Sequence, residues 1–265
     1  MLQPISQWIL AAVLAIVVVT IAYRLGKLTV GGGVAAIVLG TVVVGTGGWW
    51  PGIILVIFFV SSSLLSRSGG VQARGSQRDW VQVLANGWGI LLGCMLFALT
   101  GWYPWLFFGI GAIAAASADT WSSEIGRTSL SPPRLISNWK VVPPGTSGAI
   151  SGRGSLAAAA VALLIGLVAA IAVASGSFGT NVMPITVFIG ITLAGIGGGV
   201  VDSLLGATIQ EQRWCDTCDK PTEANPHRCS TITRHVGGIA GFNNDVVNAF
   251  CALTGALIGL VSSIL

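Results

Sequence analysis

The sequence predicts an all-α fold, a polytopic transmembrane helix bundle of about eight spans forming one integral membrane domain over residues 1–265. Three observations carry this. Of the 265 residues, 53% are hydrophobic and only 8% charged, and the mean hydropathy is +0.83, whereas soluble domains carry about 25% charged residues. The apolar residues gather into eight runs, most of them near the roughly 20 residues that a crossing needs. All thirteen Lys and Arg fall in the loops after the first, third, fifth and seventh runs.

The first run, 8–23, has no basic segment ahead of it, and its first cations, Arg24 and Lys27, follow it. It therefore reads as a retained helix and not as a signal peptide. Runs 29–46 and 50–65 leave a re-entrant pair open, because the second of them offers only about 16 apolar residues. Runs 81–100, 102–118, 156–175, 184–208 and 245–265 complete the eight. The positive-inside rule then makes loops 66–80, 119–155 and 209–244 cytoplasmic and puts both termini outside. With cations on one side only, the net charge of +4 reports topology and phosphate contacts, not a nucleic-acid partner.

Chemistry follows from the acids. Asp119 lies seventeen residues after Trp102, or about 26 Å along a helix, and Asp202 eighteen after Pro184, about 27 Å; both reach the same boundary at similar depth. Asp202 also shares a helix face with Gly195, Gly199 and Gly206, a small-residue face suited to close helix packing. Intramembrane acids are costly and mark ion, proton or substrate sites. Both acids sit toward the C-terminal halves of their helices, where the dipole disfavours negative charge. Asp245 opens the last span behind Asn243, which an N-terminal cap alone would explain. Converging carboxylates repel unless a cation joins them, and Mg²⁺, with its preference for oxygen ligands shared with phosphates, suits Asp119 and Asp202. Glu124 and Asp245 complete the candidate catalytic carboxylates.

Between the fifth and sixth runs lies "NWKVVPPGTSGAISGRGS". Gly145, Gly148, Gly152 and Gly154 permit tight turns whose N–H groups can face an anion, and Lys140, Thr146, Ser147, Ser151 and Arg153 add donors. This is a phosphate cradle or, equally, a flexible connector; no Walker A loop exists. Loop 66–80 holds Arg67, Arg74 and Arg78, readable as boundary anchors or as a phosphate clamp, and the helix after it carries Asn86 about two turns inward. Asn244 and Asn248, at the start of the last span, are further polar candidates for the nucleotide site.

In the loop before that span, Cys215-x-x-Cys218 is followed by His227-x-Cys229. This spacing fits a closed tetrahedral zinc site, with His235 as a substitute fourth ligand. A cytoplasmic position argues against disulfides. The fold expectation is thus a helix bundle with a small zinc-stapled cytoplasmic loop, while Cys94 and Cys251 read as packing residues within spans.

The stretches "QVLANG", "ADTWSSEIG", "VPPGTSGAIS", "DSLLGATIQ", "C-x-x-C" with "HRC", and "NNDVVN" together resemble the integral-membrane phytyl phosphate kinases of tocopherol salvage and their prokaryotic relatives, once grouped as a domain of unknown function. The resemblance spans residues 82–248. It implies CTP-dependent phosphorylation of a phytyl or prenyl monophosphate to the diphosphate, in the wider company of dolichol-kinase-like enzymes. It also implies a prokaryotic plasma membrane or plastid-type location, an isoprenoid phosphate and a nucleoside triphosphate as partners within the membrane lipids, and room for a homo-oligomer. A transporter using the same intramembrane acids is the rival class; a zinc-stabilised scaffold without activity would account for the cysteines but not for Asp202.

Overall fold

The computed structural model describes residues 4–65, 77–222, 225–227 and 229–265; Arg67, Arg74 and Arg228 lie outside the described residues. Each apolar run forms a helix: α1 (Ile5–Arg24), α2 (Val30–Gly47), α3 (Trp49–Leu65), α4 (Trp80–Thr100), α5 (Pro104–Gly126), α6 (Gly152–Ala174), α7 (Pro184–Thr208) and α8 (Asn244–Ser262). Among the described residues, six of these are long and apolar enough to cross a membrane, and α3, also apolar, is shorter at 17 residues.

Helices α2 and α3 are not a re-entrant pair. They turn on Gly48, with φ of 87°. At the far end of α2, the Thr29 amide donates to the Arg78 carbonyl (3.1 Å), and at the far end of α3 Arg78 reaches Ser62. At the Gly48 turn Trp50 Nε1 donates to Ser177 Oγ in the loop between α6 and α7 (2.8 Å), so both helices run from one end of the bundle to the other, about 26 Å for 17 residues at 1.5 Å each.

The exception in composition is α5, which is not among the six. It is the central helix, buried continuously from Leu106 to Ala118, and packs against α4, α6, α7 and α8, with α3 on its remaining side. Protein, not lipid, surrounds it, so small residues and an acid are tolerated where lipid would reject them. By contrast α1 buries only Ala11, Val19 and Ala22 and offers the rest of its surface outward.

Contact between α5 and α8 requires glycine. A Cβ at Gly111 would strike the Gly255 carbonyl, and one at Gly259 the Phe107 carbonyl, so Gly255-x-x-x-Gly259 allows backbone-to-backbone approach.

Among the described residues, five short strands lie in the loops, which sequence patterning reads only as connectors. β1 (Arg134–Leu135) pairs antiparallel with β2 (Ala149–Ile150). β3 (Gln212–Cys215), β4 (Lys220–Thr222) and β5 (Arg234–Gly237) form a sheet in the order β4-β3-β5. The small sheet is tied to both flanking helices: the Ile239 amide donates to Ile209 O at the end of α7 (2.9 Å), and Glu211 N donates to Phe242 O just before α8 (2.8 Å).

Candidate functional site

The helices α5, α7 and α8 meet where Gly198 stands. A Cβ there would strike the Cβ of Ala115 and lie 2.9 Å from the Cys251 carbonyl. One turn toward the charged end, at positions four residues on along α5 and α7, stand Asp119 and Asp202; on α8, which runs the other way, the matching turn carries Asn248. A Cβ at Gly199 would be 3.7 Å from that of Ala118 and 3.9 Å from the Asp119 amide, which places the two acidic turns side by side. Both carboxylates lie within electrostatic reach of the Cys251 thiol on α8. One carboxylate oxygen of Asp202 and one of Asp245 are shielded from solvent.

Asn243 caps α8 as its position suggests, its side chain accepting from the amides of Asp245 (3.0 Å) and Val246 (3.1 Å). Asn244 donates to Asn248 one turn later (3.4 Å). The first two turns of α8 thus carry a row of polar groups, of which Asn248 stands level with Asp119 and Asp202.

The glycine-rich loop sits over this pair. Gly148, with φ of 73°, packs against Ala207, and a Cβ at Gly206 would lie 2.8 Å from the Gly148 amide; Gly206 is one turn beyond Asp202. On the other flank the first turn of α6 meets α5: a Cβ at Gly154 would lie 2.8 Å from the Ser122 carbonyl, one turn beyond Asp119. The loop is therefore docked at two points, each one turn past an acid. Sequence reading missed these contacts; their trace was the small residues at Ser122, Gly126, Gly154 and Gly206, whose partners lie far along the chain.

Not every candidate donor is free within the loop. Ser151 caps α6, its Oγ accepting from Gly154 N (3.2 Å), and Thr146 Oγ1 donates to the Pro143 carbonyl (2.7 Å). Arg153 donates to Thr128 O (2.8 Å), tying the start of α6 to the end of α5. Gly145 is at an open turn, and a Cβ on Gly145 or Gly152 would meet nothing within 4 Å. Ser147 is half-buried, while Lys140 is exposed at the base of the turn after β1, where Leu135 N donates to its carbonyl (2.9 Å).

Two candidates stand apart from the acid pair. Asn86 donates to the Gln82 carbonyl of its own helix (2.9 Å). Glu124, about 140° around α5 from Asp119, faces Arg127 at 3.7 Å and the charge of Arg78. Arg78 is not placed as a phosphate clamp. Its guanidinium donates to Ser62 Oγ (3.0 Å) and lies 5.8 Å from the Phe58 ring, while its amide donates to Lys27 O (2.9 Å). Burial pulls its pKa down, and the Glu124 charge opposes that. Nearby, Trp121 Nε1 donates to Ser61 Oγ (3.1 Å), so this corner fastens α2, α3 and α4 to α5.

The cysteine motif closes as its spacing requires. Cys215 ends β3 and Cys218 lies in the turn to β4, while His227 and Cys229 come from a second turn in which Ser230 N donates to His227 O (2.8 Å). The ligand atoms of Cys215, Cys218, His227 and Cys229 all lie within 4.8 Å of one another. Cys215 and Cys229 sulfurs are 3.5 Å apart, and His227 Nδ1 is 3.1 Å from Cys229 Sγ. Such separations suit a tetrahedral ion with bonds of about 2.0–2.3 Å. Hydrogen bonds with Thr231 and then His227 pull the Cys229 thiol down to about 5, while its bond to Cys229 pushes Cys218 up to about 11. His235 pairs with Arg213 in the sheet and is not part of this cluster.

Fold and site together define an integral membrane protein that gathers its half-buried acids, glycine loop and thiol cluster at one end of a helix bundle. The family model described as Integral membrane protein DUF92 matches residues 13–256, and the chain belongs to that family. It is 32% identical to Protein PGR of Arabidopsis thaliana over 207 residues, covering 72% of this chain and 70% of the relative. An uncharacterized membrane protein of Methanocaldococcus jannaschii is 39% identical over 166 residues, 62% of this chain and 61% of its own. Another, from Synechocystis sp., is 34% identical over 134 residues, 48% of this chain and 49% of its own. No solved structure matches.

Proposed function

We propose that this protein is a CTP-dependent kinase that converts an isoprenoid monophosphate, phytyl phosphate or a related prenyl phosphate, to its diphosphate. The observation that carries the reading is the meeting of Asp119 and Asp202 beneath a glycine loop docked one turn past each of them. The nucleotide and acceptor class come from the resemblance of the motifs between residues 82 and 248.

Phosphoryl transfer needs positioned phosphates and neutralised charge more than covalent chemistry. Asp119 and Asp202 have the oxygen donors that hold Mg²⁺, and that ion, when bound, supplies charge neutralisation for the triphosphate. Gly148 keeps backbone close to the acid pair, and Gly145, Thr146 and Ser147 form the turn that faces the phosphates. An oxygen of the lipid monophosphate attacks the terminal phosphorus of CTP, the bond to the bridging oxygen breaks, and CDP leaves. No general base is required, since the acceptor is already anionic near neutral pH. The lipid tail lies among the helices with its head at the charged end, which is the cytoplasmic end, with both termini outside. The Cys215, Cys218, His227 and Cys229 cluster holds a structural Zn²⁺ that braces the link between α7 and α8, and so Asp202 against Asp245.

The test is formation of lipid diphosphate by purified protein in detergent with CTP, ATP and a panel of prenyl monophosphates, with Mg²⁺ varied. Mg²⁺-dependent product with CTP supports the kinase. Absence of product with every acceptor, together with substrate flux in vesicles that Asp202→Asn abolishes, assigns the acids to transport instead.

A further inference from the structure

Trp139 is the residue whose backbone is hardest to explain by packing. Its φ is 58°, a left-handed conformation that is an outlier for a bulky side chain, and 63% of its surface is open. Three hydrogen bonds hold it there: its amide donates to Leu135 O (2.9 Å), Arg134 Nη1 donates to its carbonyl (2.9 Å), and the next amide, of Lys140, donates to Asn138 Oδ1 (3.0 Å). Strain of this kind persists where the surroundings over-determine it, and it clusters at ligand sites. A tryptophan that merely met the membrane interface would need no such constraint.

Its location points the same way. The turn bearing Trp139 is joined to the glycine loop by β1–β2 pairing and by the Ile136 amide, which donates to Gly148 O (3.2 Å). Gly148 in turn rests on Gly206 and Ala207, one turn beyond Asp202. From Ile136 to Trp139 is three residues, at most about 10 Å of chain, which is within the reach of a ribose and base whose phosphates lie under the glycine loop. The segment 127–153 contains Arg127, Arg134, Lys140 and Arg153 and no Asp or Glu, so it suits a polyanion.

We propose that Trp139 is the platform on which the base of the nucleoside triphosphate stacks, with Arg134 holding the platform's backbone and Lys140 beside it for the anion. The position of the phosphates rests on the kinase reading above. Aromatic stacking is tolerant of base identity, so Trp139 supports nucleotide affinity in general and does not itself choose CTP over ATP.

The experiment measures equilibrium binding of CTP and of inorganic tripolyphosphate to the full chain in detergent with Mg²⁺, for wild type, Trp139→Ala and Trp139→Phe. Trp139→Ala is expected to weaken CTP about tenfold or more and to leave tripolyphosphate unchanged, with Trp139→Phe recovering most of the loss. Equal weakening of both ligands, unchanged CTP binding in Trp139→Ala, or no CTP binding by wild type overturns the platform. So does quenching by brominated lipids that disappears in Trp139→Phe, which would seat the ring in the membrane. Failure of the kinase reading is separate: a wild type that binds CTP through Trp139 yet forms no lipid diphosphate keeps the platform and loses the reaction.

Discussion

The two ends of this bundle are built from the same eight helices and share almost no chemistry. At the charged end, every helix that begins there has a side-chain cap: Thr29 for α2, Asp79 for α4, Ser151 for α6 and Asn243 for α8. At the other end the starts of α1, α5 and α7 have no side-chain cap among the described residues, and proline stands there instead, as Pro4 before α1, Pro104 in α5 and Pro184 in α7. Proline answers the problem of unpaired amides by fixing φ and removing a donor, whereas a cap satisfies them with a polar group. The uncharged end is aromatic: Gln7, Trp49, Trp50, Phe97, Tyr103 and Phe178 line a hollow of about 440 Å³, and Trp50 Nε1 donates to Ser177 Oγ (2.8 Å). One end carries the acids, the basic side chains and the thiol cluster, and the other carries aromatic rings and no charged side chain.

This contrast can be broken most sharply at Asp202. Asp202→Asn preserves size and removes charge, and turnover in the lipid diphosphate assay is expected to fall on the order of 10²-fold or more, with an unchanged detergent melting profile. Turnover matching wild type would end the argument that the acid pair does the chemistry.

A smaller but still large effect is expected from the double change Cys215→Ser and Cys218→Ser. Elemental analysis of metal-washed wild type should find about one zinc per chain and the variant none. The variant's link between α7 and α8 should also become more open to protease. A zinc-free wild type, or an unaltered digestion pattern, would leave the cluster without a structural role.

Orientation is next. An impermeant thiol reagent applied to intact cells should label a cysteine introduced at Ser177, at the aromatic end, and not one at Ser131, in the loop after α5. The reverse pattern would turn the bundle over and place the acids outside.

The smallest effect is expected at the aromatic end itself. Trp50→Phe loses the bond to Ser177, a net contribution of about 0.5–1.5 kcal/mol for an ordinary hydrogen bond. It should shift thermal stability slightly and leave turnover within about twofold. Loss of turnover comparable to Asp202→Asn would show that the two ends are not functionally separate.

Helix α1 and helix α5 show why much of this was legible in advance and some was not. Both were readable as spans, since eight apolar runs and one-sided cations are one-dimensional signals. Their places in the bundle were not: the more apolar α1 is peripheral, and α5, the less apolar of the two over its whole length, is central. Hydropathy reports what a helix would tolerate if lipid surrounded it, and α5 never meets that condition. Asp119 and Asp202 were recognisable because acids are scarce and costly in spans, and the Cys215, Cys218, His227 and Cys229 set because its ligands are close in sequence. Glu124 is also a carboxylate but faces Arg78 and Arg127, a difference of about 140° on one helix that only packing can resolve.

By itself, then, the sequence determined the number of long helices, the end at which charge collects, the two acids as candidates and the four-residue thiol and imidazole set that the fold gathers, because each depends on composition or on spacing along one stretch of chain. Tertiary structure alone decided that α5 lies at the centre, that Arg78 serves as a fastening and that Gly148 and Gly154 dock one turn past the acids. Those outcomes depend on which small residues of distant helices come into register, and contacts of that kind leave no local periodicity to read.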